Sequence, residues 1–91
     1  MNWRLSRRSV SDFDDIYLYR SQDSEETAQR VLSAIIAAIR RTALQPLSGR
    51  PGGRPGIREI ALTDYPYVIP YRLQGGDLIV LRIFHASQDR P

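Results

Sequence analysis

The sequence predicts an α+β fold of order β-α-α-β-β-β, with a helical hairpin packed on one face of a small, mostly antiparallel sheet. Three observations predict it. Ala28, Val31, Leu32, Ile35, Ile36, Ile39 and Ala43 recur at spacings of three and four, the period of an amphipathic helix. Three runs rich in β-branched and aromatic residues, 57–63, 67–73 and 77–90, are joined by turns too short for a crossover, so neighbours must run antiparallel. A short alternating segment, 2–6, precedes the helical part and supplies one more strand.

In chain order, Asn2–Ser6 sets Trp3 and Leu5 against Asn2, Arg4 and Ser6, the pattern of a short edge strand with one buried face. Ser9–Asp12 offers capping hydroxyls. A first helix is expected over Ser11–Arg20, with Asp12, Asp14 and Asp15 in its first turn, where carboxylates complement the helix N-terminus. Ser21–Asp23 is a polar break. Asp23 followed by Glu26 resembles a capping box for a second helix running to Leu44.

The stretch 45–56 (QPLSGRPGGRPG) holds three Pro and four Gly in twelve residues and reads as a loop, either a plain connector or an anion- or partner-contacting segment. It lacks the G-x-x-x-x-G-K-[ST] pattern of a nucleotide-binding loop. Strands follow at Ile57–Thr63 and Tyr67–Leu73. Pro70 lacks an amide hydrogen, which argues for an edge position or a bulge there. Gln74–Asp77 is a tight hairpin signal.

The last run, DLIVLRIFHASQDR (77–90), is apolar on both faces, as a central strand is. Leu78, Val80, Arg82 and Phe84 alternate with Ile79, Leu81, Ile83 and His85. A guanidinium in such a strand needs a carboxylate, Glu59 being the candidate within the chain, or an opening onto a binding surface.

Composition narrows the function classes. All 13 basic residues are Arg, which reflects either a GC-rich coding bias or selection for bidentate recognition of carboxylate and phosphate. Five of them (40, 41, 50, 54, 58) fall in an acid-free stretch, whereas 12–26 holds six acids against Arg20 alone, so an acidic partner fits the basic part. His85 is the only His or Cys, which argues against a metal site, and no cofactor motif is present. The lack of cysteine and of a signal peptide points to the cytoplasm. The apolar run Leu78–Leu81 is far too short to cross a bilayer, and no membrane association is expected.

The segment GIREIALTDYPYVIPYRL (56–73), the ending DLIVLRIFHASQD (77–89) and the LSGRP start of the loop resemble the RelE/ParE superfamily of bacterial type II toxins. The resemblance covers essentially the whole chain. Its N-terminal half matches in pattern, through Trp3 and through Asp12, Phe13, Ile16 and Tyr19. It implies one toxin domain over 1–91, held inactive in a hetero-oligomer by a cognate antitoxin with an amphipathic, acidic C-terminal segment.

Two activities occur on this fold. ParE-like members poison DNA gyrase by binding, and RelE-like members cut mRNA on the ribosome. The FHASQD ending resembles the LHGxRD ending of ParE-like chains, so gyrase is the expected target. The alternatives are a ribosome-dependent mRNA endonuclease and an inactive remnant that only binds antitoxin. For an endonuclease, the resemblance implies Arg58 and Arg82 as charge stabilisers, His85 as acid or base and Tyr71 as a further acid. Strict alternation places His85 on the face opposite Arg82 unless the strand ends or bulges near Phe84, and the set contains no Lys.

For a binding toxin, the candidate contacts are Arg40, Arg41, Arg50, Arg54, Arg58, Arg82 and His85. The first four are expected to rim one apolar groove between the helices and the sheet. Gln88 stands where ParE-like chains often have Arg, and Arg90-Pro91 leaves a short tail after the last strand.

Overall fold

The computed structural model describes residues 1–87. Its elements are β1 (Asn2–Leu5), α1 (Arg7–Ser21), α2 (Glu25–Leu44), β2 (Arg50–Pro51), β3 (Ile57–Ala61), β4 (Tyr67–Gln74), β5 (Asp77–Val80) and β6 (Phe84–His85). The predicted order therefore stands, with a two-residue strand added inside the loop and the last strand split in two. The sheet runs β1-β5-β4-β3-β2, with β6 also beside β4. Only the β1–β5 pairing is parallel, and β3-β4-β5 form the expected antiparallel meander.

α2 forms as its periodicity dictates. Val31, Ile35, Ile39 and Ala43 are buried against Tyr67, Ile69, Tyr71, Leu78 and Val80 of the sheet, with Ile16 of α1 closing the core. Its cap is Ser24 rather than Asp23: the Ser24 Oγ accepts the Thr27 amide at 2.9 Å, while Asp23 reaches only the Thr27 hydroxyl.

α1 begins four residues earlier than expected. Ser6, not a residue of the Ser9–Asp12 group, is its cap and accepts the Ser9 amide at 3.1 Å. Tertiary partners select this start. The Ser6 amide donates to the Val80 carbonyl at 2.9 Å, and the Ser6 and Ser9 hydroxyls lie within reach of the Leu81 and Val80 carbonyls. Asp12, Asp14 and Asp15 consequently sit beyond the first turn, which holds no acid.

The run from 77 was expected to be one strand to 90, but β5 ends at Val80 and pairing resumes only at Phe84. Between the Tyr71–Val80 and Val68–Phe84 partners, β4 advances three residues and the other strand four, which is a one-residue bulge. The part of that prediction beyond 87, with Gln88 and Arg90-Pro91, lies outside the described residues.

Pro70 lies opposite this break. It is in a central strand and not at an edge, yet no ladder amide is lost, because its carbonyl accepts the Leu81 amide at 2.8 Å where regular pairing has stopped. β3 ends at Ala61, two residues short of the predicted Thr63.

Candidate functional site

The bulge decides where the C-terminal polar residues point. Leu81, Arg82 and Ile83 leave the strand pattern, so Arg82 and His85, which alternation puts on opposite faces, line one cleft of about 560 Å³ together with Asp12, Tyr19, Arg20 and Tyr67. Arg82 is fixed. Its Nε donates to Asp12 Oδ2 at 2.8 Å and its Nη2 reaches Asp12 Oδ1 at 3.4 Å, while the guanidinium carbon sits 5.8 Å from the centre of the Phe84 ring.

The same Asp12 oxygen accepts the Ile83 amide at 2.9 Å, so one carboxylate both neutralises the arginine and caps the bulge. The expected partner Glu59 lies elsewhere: it is buried and ion-paired with Arg50 at 3.3 Å. Asp12, expected in the first turn of a helix, has a side chain only 11% exposed.

Across the cleft, Arg20 donates from Nε to the Tyr67 hydroxyl at 3.2 Å and lies 5.5 and 5.8 Å from the Tyr67 and Tyr19 ring centres. No carboxylate pairs with it among the described residues. Tyr19 is largely exposed. His85 stands edge-on to the Tyr67 ring at 5.7 Å, and its Nδ1 accepts the Ser87 amide at 3.2 Å with the Ser87 hydroxyl 2.7 Å away. The cleft thus presents Arg20, the Asp12-paired Arg82, an imidazole and an exposed tyrosine, with the Asp12 and Asp15 carboxylates also on its wall. That arrangement can receive an acidic or aromatic group of a partner.

Arg58 and Tyr71 are not in this cleft. They border a second one, of about 480 Å³, with Leu47, Arg54, Ile57, Arg72 and Leu73. Both serve the loop after α2. Tyr71 is fully buried; its hydroxyl donates to the Pro46 carbonyl at 2.7 Å and accepts the Gly49 amide at 3.0 Å. Arg58 donates from Nη1 to the Leu47 and Gly49 carbonyls at 3.0 and 2.9 Å.

The predicted ring of arginines around one groove does not form. Arg40 and Arg41 border a hollow on the helical layer with Phe13, Leu32 and Ile36; Arg50 faces Glu59 at the sheet edge; Arg54 belongs to the second cleft. The residues that sequence reasoning passed over are Asp12 as the partner of Arg82, and Arg20 and Arg72 as cleft cations. Arg20 carried a signal, being the lone base in the acidic stretch. Among the described residues no three His, Cys, Asp or Glu side chains gather as a metal site, and no helix is long and apolar enough to cross a membrane.

A family model for the ParE toxin of the type II toxin-antitoxin system parDE matches residues 3–90. The chain belongs to this ParE toxin family. Among its relatives, the toxin-like protein Y4kP of Sinorhizobium fredii is 38% identical over 91 residues, which cover all of this chain and 92% of Y4kP. Toxin RelE1 of Caulobacter vibrioides is 32% identical over 88 residues, 94% of either chain. A solved chain of the chromosomal ParDE TA system from P. aeruginosa superposes with a TM-score of 0.85 at 26% identity, covering 96% of this chain and 97% of that one. The α+β arrangement of two helices on a mostly antiparallel sheet is thus the ParE toxin fold.

Proposed function

We propose that this ParE-family toxin acts by binding DNA gyrase and is neutralised by a cognate antitoxin in a cytoplasmic hetero-oligomer. The observation that carries this reading is the separation of the four candidate catalytic residues into two clefts. RNA cleavage through a 2′-hydroxyl needs a base, an acid and a cation around one phosphodiester. Arg58 and Tyr71 are instead engaged in holding the 46–49 loop, apart from Arg82 and His85. A binding toxin needs no such convergence. The first cleft offers it Arg20, Arg82, His85 and the exposed Tyr19, residue types suited to the centre of an interface.

The second cleft suits the antitoxin. Leu47, Ile57 and Leu73 provide apolar anchors, Arg54, Arg58 and Arg72 surround them, and among the described residues no carboxylate lines it. An acidic amphipathic segment matches on both counts. Added salt should then slow association far more than it speeds dissociation. The direct test adds purified chain to gyrase and supercoiled or relaxed plasmid. Loss of supercoiling with trapped, cleaved DNA, reversed by the protein encoded beside this chain, is the expected result; unaffected gyrase at saturating chain contradicts it.

A second reading, ribosome-dependent mRNA cleavage, rests on the bulge, which brings Arg82 and His85 into one cleft, and on the similarity to Toxin RelE1. It requires His85 to move protons without Arg58 or Tyr71.

A further inference from the structure

We propose that α2 recognises itself: two copies of this chain pair through antiparallel α2 helices about a two-fold axis at Ser33. The charge order along the helix carries this inference. Glu26 and Arg40 lie seven residues to either side of Ser33, which is two turns and about 10.5 Å in each direction, so all three share one face. That face is open to solvent: Glu26, Gln29, Ser33 and Arg40 are all exposed. When a second copy is laid antiparallel with Ser33 on Ser33, each Glu26 meets the Arg40 of the other copy, and the pair forms twice by symmetry.

The ends agree with this. Glu25 joins Glu26 at the start of α2, beside the exposed Asp23, while Arg40 and Arg41 near its end have no carboxylate partner among the described residues. Arg7, exposed at the start of the antiparallel α1, likewise has none. α2 is therefore acidic at its start and basic at its end, which is self-complementary only in the antiparallel sense. Glu26 contacts Arg30 at 2.6 Å within its own helix, but an exposed pair four residues apart holds too weakly to withdraw it.

Between the poles, Phe13, Leu32 and Ile36 line an open hollow of about 540 Å³ on the same side of α2 in both copies, so the two hollows face one another across the axis. A 20-residue helix is about 30 Å long and a two-helix face about 20 Å wide, which gives about 1,200 Å² buried in total, the lower end of specific interfaces. The dimer is accordingly weak and reversible. It is independent of the toxin's target.

Sedimentation equilibrium of the purified chain tests the pairing, with helicity checked by circular dichroism. Wild type should show a concentration-dependent monomer–dimer equilibrium. Glu26→Arg and Arg40→Glu should each weaken it about tenfold or more, because each puts like charges together twice. An equimolar mixture of the two variants should restore it as a heterodimer, which altered helix stability cannot do. In this cysteine-free chain, Ser33→Cys should form an intermolecular disulfide under mild oxidation. A chain that stays monomeric at all concentrations overturns the proposal, as does a dimer insensitive to both reversals. A monomer whose Arg40→Glu variant loses affinity for antitoxin would assign the face to that partner instead.

Discussion

Asp12 joins α1 to the C-terminal part of the sheet through the Arg82 guanidinium and the Ile83 amide, a link across 70 residues of sequence. Removing it leaves a partly buried cation and an amide without their acceptor. Asp12→Ala should lower stability by about 1–3 kcal/mol, toward the lower end because the arginine side chain is a quarter exposed. Asp12→Asn keeps an acceptor for the amide and should lose less; urea denaturation of both variants measures the difference. That Arg82 must find either a carboxylate or an opening onto a binding surface was legible in the sequence. The identity of the partner was not, because strand alternation points toward Glu59, and only the bulge turns the side chain to α1.

Tyr71 shows the same limit. A tyrosine in a strand reads as an acid or a core residue, and the loop backbone that claims its hydroxyl becomes visible only in three dimensions. A Cβ on Gly49 would stand 2.4 Å from that hydroxyl and 2.6 Å from the ring, and the buried ring has nowhere to move. Gly49→Ala should therefore destabilise the chain by about 1–3 kcal/mol through overpacking, and expose the 46–49 loop to protease.

Among the elements, α2 was readable from end to end because period, length and helix-forming residues agree over 20 positions. Its cap was misplaced by one residue, since Asp23 and Ser24 both suit the role. Ser24→Ala should destabilise by about 1 kcal/mol, whereas Asp23→Ala, which removes only a hydroxyl contact, should change little in thermal melts.

The two helices are also linked at the surface, where the Tyr17 hydroxyl donates to Glu25 at 2.7 Å. That hydrogen bond raises the Tyr17 pKa above its ordinary 10.0 and, with help from Gln29, lowers the Glu25 pKa below its ordinary 4.5. The lowered carboxylate contributes stability above its ordinary pKa, and this is lost as pH falls through the lowered value. The raised phenol contributes below pH 10.0, and this is lost as pH rises beyond it. Tyr17→Phe should flatten the acid limb of a stability–pH profile slightly and reduce the displacement of the Glu25 titration followed by NMR, the Gln29 contribution remaining. Bulges such as that at 81–83 escape sequence reading because one added residue leaves the apolar run intact while reversing which face each later side chain meets.

At the scale of the molecule, the order of elements and the meander were legible because long periodic segments and short turns leave few topologies. The division of the surface was not. The five arginines of the acid-free stretch look like one basic surface in sequence, yet α2, β2 and β3 distribute them over separate hollows, and two of them, Arg50 and Arg58, are held by internal partners. The same distribution separates Arg58 and Tyr71 from Arg82 and His85, and so favours a toxin that binds over one that cuts.

The most direct measurement compares wild type and His85→Ala, one preparation each, in a gyrase supercoiling assay and in a translating extract read for mRNA cleavage. A general acid or base is worth about a hundredfold to ten-thousandfold in rate, so a nuclease would lose nearly all its activity with His85. Gyrase inhibition by wild type, kept in His85→Ala as far as the variant stays folded, with mRNA intact in both, is the predicted result. Cleavage of A-site mRNA by wild type, abolished in His85→Ala while gyrase is untouched, would contradict it.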